Sequence, residues 1–413
     1  MEIAEIELKG HIIDSDILNK VFDTIIDLNG DFDVKEFKIG KHKKDPSYAR
    51  ILIMAETKEV LEDILTAVHD LGAVVPEIYD AVWEEAIGDK IVPGGFYTTT
   101  NHPTFVRINK QWVAVENIGM DCLIIIEGDR AICKPIDEIK RGDRVLVGRT
   151  GIKVVPPPRP REKNPFFGFM TNQVSSERPN LSSAKKIAQE IIKIKKDKGG
   201  KITIVGGPAI VHTGASDSLA WMIENGFVDL LLAGNALAVH DIEKNLYGTS
   251  LGMDIATGEP TIGGNKNHIY TISEIIKAGS IKNAVEKGIL KKGIFYECIV
   301  KDIPFILAGS IRDDGPLPDT ITDTMVAKKM MREKLKYSDM VIMISTMLHS
   351  IAVGNMLPSF VETVIIDINP LAITKLVDRG SAQAVGIVAD IGSFLPLLVS
   401  ELKELTDGRV REG

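Results

Sequence analysis

Six short apolar runs in the second half of the chain constrain its fold more than any other feature. They are "KITIVGG" (201–207), "VDLLLAG" (228–234), "IPFILAGSI" (303–311), "MVIMIS" (340–345), "TVIIDIN" (363–369) and "QAVGIVAD" (383–390). None alternates apolar with polar, so none has a solvent-facing side. Segments with helical periodicity separate them: "SSAKKIAQEIIKIKKDKGG", 217–225, a helix from Ala236, 322–336, and "SFLPLLVSELKEL". Strands buried on both faces and alternating with helices predict a doubly wound parallel sheet, an α/β domain over 181–407. Ligands of such sheets sit beyond the carboxyl ends of the strands.

Those ends carry a consistent chemistry. They read Gly206-Gly207-Pro208, Gly234-Asn235-Ala236, Gly309-Ser310 with Arg312-Asp313-Asp314, Ser345-Thr346-Met347-Leu348-His349, Asp367, and Asp390-Ile391-Gly392. Any one tip reads best as an ordinary turn, since turns use Gly, Asn and Asp. Together they predict one nucleotide site. Phosphates would lie on the helix starts at Asn235-Ala236 and Thr346–His349, where free N–H groups favour anions. Asp367, at the tip of a β-branched strand, suits the ribose of NAD, and Asp390 and Ile391 complete the rim. The G-x-G-x-x-G turn that normally precedes such an acid is missing, which predicts a different α/β nucleotide fold.

The first half is built differently. Residues 1–92 follow a β-α-β-β-α rhythm, with Asp14 or Ser15 expected to cap the first helix. That is most of a ferredoxin-like α+β module, the split βαβ unit. Short strands punctuated by Gly, Asp and Asn over 93–153 predict a small β-barrel or β-layer: "FVRINKQWVAVENI", "CLIIIEG", "RAICKPI" and "DRVLVGR". "VVPPPRPREKNPFF" holds five prolines without periodicity, so 154–180 reads as a Pro-rich linker.

Bulk properties exclude several classes of function. A net charge of −8 argues against a nucleic-acid partner or an anionic membrane surface. No apolar run approaches membrane-spanning length, and the acidic start "MEIAEIELKGHIID" is no signal peptide. A cytoplasmic protein is expected. The three cysteines lack C-x-x-C spacing, and Cys122 and Cys133 are expected to pack as small hydrophobes. The eight histidines are scattered, with no H-E-x-x-H or Cys/His spacing, so no metal site is expected.

Longer blocks carry a family resemblance: "GGFYTTTNHPTFVRINKQWVAVENIGMDC", "VSSERPN", "GGPAIVHTGA", "GNALAVHDIE", "AGSIRDDGPLPD" and "RGSAQAVGIVADIGSFL". They resemble the archaeal LOR/SDH-region proteins, which are similar to the C-terminal ornithine cyclodeaminase portion of cyanobacterial bifunctional arginine dihydrolase–ornithine cyclodeaminases. The resemblance runs from about residue 3 to residue 405. It implies NAD in a deoxyhypusine-synthase-like α/β domain and conversion of ornithine to proline with loss of ammonia. The bacterial, crystallin-related ornithine cyclodeaminases are a separate family, whose Rossmann motif is missing here. With no arginine-hydrolysing domain before residue 1, arginine is not the expected substrate.

That chemistry needs orientation, a carboxylate anchor, a base and exclusion of water. Asp314, in a Gly/Pro-stiffened loop at a strand end, would serve either the cofactor or as the base. Asn101 and His102, held ahead of a proline, suit a fixed polar contact. A lone histidine is more often structural, so proton transfer by His102 is the lesser reading. Arg178 or Arg107 can pair bidentately with a substrate carboxylate, as surface arginines also do for ordinary stability. Two other functions compete: another NAD-dependent amino-acid enzyme (a saccharopine-type dehydrogenase or an aminoalkyl transferase), and a non-enzymatic amino-acid and NAD sensor. A homo-oligomer is expected, because an open ferredoxin-like sheet edge invites a partner strand.

Overall fold

The computed structural model describes residues 2–13, 16–42, 45–74, 79–155, 179–197, 199–250, 253–254, 265–379 and 384–407. The chain divides into two compact units: Met1–Phe169 with Asn355–Phe360, and Met170–Gly354 with Val361–Gly413. Among the described residues, no helix is long and apolar enough to cross a membrane. Most of the Pro-rich linker, Arg178, and the expected caps Asp14 and Ser15 lie outside the described residues.

The first unit opens with β1 (Glu2–Gly10), α1 (Ile17–Asp27), β2 (Asp31–Lys38), β3 (Ser47–Ala55) and α2 (Lys58–Asp70). β3 is central and antiparallel to both neighbours, in the order β1-β3-β2. Its alternation works as the period of two requires: Ala49, Ile51 and Ile53 are fully buried and meet Val21 and Ile25 of α1 and Ile64 of α2. α2 begins where the Thr57 hydroxyl accepts the Val60 N–H at 3.3 Å. This is the expected β-α-β-β-α module.

The β-layer follows as β4 (Val82–Glu85), β5 (Thr104–Ile108), β6 (Gln111–Glu116), β7 (Leu123–Glu127), β8 (Arg130–Lys134), β9 (Arg144–Val147) and β10 (Ile152–Val154). They form one sheet in the order β10-β5-β6-β8-β7-β9-β4. "FVRINKQWVAVENI" is a hairpin, not a single strand. Asn109 and Lys110 both take positive φ, 50° and 65°, the two-residue turn that matches strand twist. The layer also reaches back past residue 93, because β4 pairs with β9.

The second unit contains α3 (Pro179–Asp197), β11 (Ile202–Gly206), α4 (Ala209–His212), α5 (Ser216–Glu224), β12 (Leu230–Gly234), α6 (Asn235–Tyr247), β13 (Thr249–Ser250) and β14 (Met253–Asp254). Next come α7 (Asn265–Ala278), α8 (Ile281–Glu286), α9 (Ile294–Val300), β15 (Phe305–Ala308), β16 (Thr320–Ile321), α10 (Thr324–Leu335) and β17 (Met340–Ile344). The chain ends with α11 (Met347–Met356), β18 (Glu362–Asp367), α12 (Pro370–Arg379), β19 (Ala384–Val388) and α13 (Ile391–Thr406). The main sheet runs β16-β15-β12-β11-β17-β18-β19, and every pairing is parallel. β11 and β17 are buried at every position, so both faces are covered. The chain steps outward from β11 to β16, then returns to the other side of β11 for β17, β18 and β19. The direction of winding therefore reverses between β11 and β17, which is where such sheets bind ligands.

Candidate active site

The carboxyl ends of β11 and β17 meet tightly. Gly207 N–H donates to Ile344 O at 2.9 Å. A Cβ on Gly207 would stand 2.1 Å from the Ser345 carbonyl oxygen, so only glycine fits there. Ser345 itself has φ 49°, a left-handed conformation that is costly for a residue with a side chain. The strained turn Ser345-Thr346 leads into α11, and β18 follows with Asp367 at its tip. β17, α11 and β18 thus form a βαβ unit with the acid placed as in dinucleotide-binding folds. A left-handed serine stands where a glycine-rich turn is usually found.

The residues there fit a dinucleotide. His349 lies against Gly234, where a Cβ would meet its Cε1 at 2.9 Å. Its Nδ1 is 3.4 Å from the Thr346 hydroxyl. Burial lowers the His349 pKa, and the nearby Asp313 carboxylate opposes the shift. Met347, Leu348, Ile368 and Leu371 are exposed apolar side chains, suited to the flat faces of base and nicotinamide. Asp367 accepts the Asn369 N–H through Oδ1 at 2.8 Å.

Other expected contacts are turned to structure. Buried Asn235 accepts from Leu317 N (3.0 Å) and the Thr320 hydroxyl (2.8 Å), and donates to Gly315 O (3.1 Å). It ties down the loop after β15 at the start of α6. Asp390 caps α13 by accepting the Ser393 N–H at 3.0 Å, and Ile391 is in the core. Asn101 and His102 belong to the first unit, where the Ser359 N–H donates to Asn101 O at 2.8 Å. Among the described residues, Asn101 Nδ2 and His102 Nδ1 are buried without a hydrogen-bond partner, and burial lowers the His102 pKa. Arg107 pairs with Asp80 at 3.4 Å.

The structure also assembles a polar cluster that sequence spacing did not reveal. His212 ends α4, His240 and Glu243 share one face of α6, and His268 lies near the start of α7. The His212 and His240 rings are 4.6 Å apart, and those of His240 and His268 are 5.1 Å apart. Glu243 Oε2 lies 3.6 Å from His240 Nδ1 and 3.6 Å from His268 Nδ1. The other face of His268 meets Asp314, Nε2 to Oδ2, at 3.4 Å. Asp314 is 68% exposed and Glu243 is fully buried. The cluster therefore runs from solvent to the interior beside the sheet's carboxyl edge. Burial, helped by His240, lowers the His212 pKa to about 4. The one signal in the sequence was the i, i+3 spacing of His240 and Glu243 in "HDIE".

Comparison with known proteins places this architecture. Residues 185–398 match the family "Arginine dihydrolase ArgZ-like, C-terminal, Rossmann fold". Residues 3–102 match the "LOR/SDH bifunctional enzyme conserved region", and 103–183 match the ArgZ-like C-terminal first region. The Rossmann description corrects the expectation of a different nucleotide fold: the fold is of that type, and only its glycine fingerprint is absent. An ornithine cyclodeaminase of Archaeoglobus fulgidus is 57% identical over 405 residues, 98% of this chain and 99% of that protein. The crystal structure of a LOR/SDH protein from Methanococcus maripaludis is 51% identical, with TM-score 0.75, covering 81% of this chain and 99% of its own. The ternary complex of AgrE with ornithine and NAD⁺ is 42% identical, with TM-score 0.55, covering 98% of this chain and 58% of that one. The chain belongs to the family of archaeal ornithine cyclodeaminases that share the LOR/SDH region and the ArgZ-like C-terminal Rossmann domain.

Proposed function

We infer that this protein is an NAD-dependent ornithine cyclodeaminase, converting L-ornithine to L-proline and ammonia. One observation carries the reading: near-full-length kinship with proteins of that activity coincides with a βαβ unit bearing Asp367 at the switch point. When bound there, NAD⁺ supplies both the hydride acceptor and the hydride donor of a reaction with no net redox change.

The chain's own residues have three tasks. Asp367 binds the ribose diol, and the N–H groups at the start of α11 receive the phosphates. Asp314 manages protons. The δ-ammonium of ornithine must lose one before its nitrogen can attack Cα, and the α-nitrogen must carry one away when it leaves. A largely exposed carboxylate in contact with His268 can exchange both with water. Arg178 takes the substrate carboxylate.

Ornithine is the proposed substrate, and the working form is a cytoplasmic homo-oligomer. Among the described residues, the order β1-β3-β2 leaves β2 as an open edge with Val34 and Phe37 exposed, a surface for a second copy. Purified protein incubated with ornithine and NAD⁺ should form proline and ammonia one for one, with no lasting NADH. Net NADH production would replace this reading with a dehydrogenase.

A further inference from the structure

Among the described residues, His240 Nδ1 and His268 Nδ1 are buried and have no hydrogen-bond partner. Each lies 3.6 Å from Glu243 Oε2, and the three residues each offer one ligand atom within 4.8 Å of the other two. That separation is too long for a hydrogen bond, which needs about 2.7–3.2 Å. It matches the edge of a coordination polyhedron: ligands about 2.0–2.1 Å from zinc stand roughly 3.3–3.6 Å apart at tetrahedral to trigonal angles. An ammonium ion held at about 2.9 Å would spread its acceptors to roughly 4.7 Å. The two contacts at 3.6 Å favour a metal.

The surroundings complete the pattern. Ligating histidines generally give their second nitrogen to a carboxylate or carbonyl, and ligating carboxylates are themselves hydrogen-bonded. His268 Nε2 faces Asp314 Oδ2 at 3.4 Å, a charge contact longer than a hydrogen bond. Glu243 Oε1 accepts the Thr249 hydroxyl at 2.8 Å, and Asn267 Nδ2 donates to that same hydroxyl at 3.0 Å. The His240 ring packs between His212 and His268, which restricts its plane. Glu243 has no exposure at all, so the three side chains meet away from bulk water. Two imidazoles and one carboxylate form the donor set of a zinc site that keeps a position open.

We propose that His240, Glu243 and His268 bind one divalent transition-metal ion, zinc by ligand type, oriented by Asp314 and Thr249. The histidines come from two helices, which is why no sequence spacing announced the site. The proposal rests on this geometry and not on the identity of the substrate.

The test uses full-length protein stripped with a chelator, then titrated with Co²⁺ followed by Zn²⁺. One equivalent of Co²⁺ should give the visible absorption of a low-coordinate N/O site, and one equivalent of Zn²⁺ should abolish it. Glu243→Gln and His268→Ala should lose the absorption while keeping the circular dichroism of the wild type. Asp314→Asn, which perturbs the outer shell, should bind about 10–100-fold more weakly. Absence of saturable Co²⁺ or Zn²⁺ binding by the wild-type protein overturns the proposal, whatever the variants do. Wild-type stoichiometry and affinity in folded Glu243→Gln and His268→Ala overturn it as well. NAD⁺ affinity measured on the stripped protein reports separately on the cyclodeaminase reading.

Discussion

Replacing Asp367 tests the nucleotide site, and the structure separates two consequences of doing so. Oδ1 accepts the Asn369 N–H at 2.8 Å, and Asn369 in turn accepts the Leu371 N–H at 3.0 Å, forming the turn that starts α12. The turn bond is worth about 1 kcal/mol. Oδ2 meets no protein donor among the described residues and is the oxygen assigned to the ribose. A hydrogen bond to a charged acceptor is worth about 1.5–3 kcal/mol, roughly ten- to a hundredfold in Kd. Asp367→Ala should lose both, binding NAD⁺ about ten- to a hundredfold more weakly and unfolding at lower urea. Asp367→Asn keeps an oxygen for the turn but loses the charge. It should unfold like the wild type and bind NAD⁺ with intermediate affinity. Calorimetric titration and urea unfolding measure the two effects. A folded Asp367→Ala protein with wild-type NAD⁺ affinity would refute the placement of the ribose.

Three further predictions follow from particular residues. His69 is 5% exposed, and burial, with the Arg149 charge, lowers its pKa from 6.5 to about 4. The folded state keeps it neutral while the unfolded chain protonates, so its stabilisation is full above about pH 6.5 and is lost as pH falls to about 4. The loss is about 3 kcal/mol, at about 1.4 per unit; His69→Gln should flatten the urea midpoint between pH 7 and pH 4.5, and an unchanged slope would count against it. Asp314→Asn should lower kcat with little change in NAD⁺ affinity, whereas a rise in the NAD⁺ requirement alone would make the residue a cofactor ligand. Light scattering should show an oligomer at micromolar protein, and a Lys in place of Phe37 should weaken it; a wild-type monomer contradicts the edge-pairing proposal.

Much of the fold was legible because burial writes itself into composition. The six apolar runs are six strands of the parallel sheet, since strands covered on both faces have no polar side to show. β16 was invisible: a pair of half-buried residues, Thr320 and Ile321, has no pattern to read. The β5–β6 hairpin was read as one strand because Asn109-Lys110 lacks the glycine that usually signals such a turn. At the site, the position of Asp367 at the tip of its strand is legible from the strand pattern alone. That Asn235 anchors a loop and Asp390 caps a helix is not, because those tasks use the same side chains as ligand binding. The cluster of His212, His240, Glu243 and His268 depends on contacts between α4, α6 and α7, and local spacing carries little of that information.

The central claim is best tested by following atoms. Ornithine carrying deuterium and ¹⁵N at Cα should be turned over with unlabelled NAD⁺, and proline and ammonia analysed by mass. Redox-neutral cyclisation at Cα predicts proline that keeps the deuterium at Cα, ammonia that carries the ¹⁵N, and no accumulated NADH. Proline retaining the ¹⁵N, loss of the deuterium to solvent, or NADH formed in step with product would contradict it.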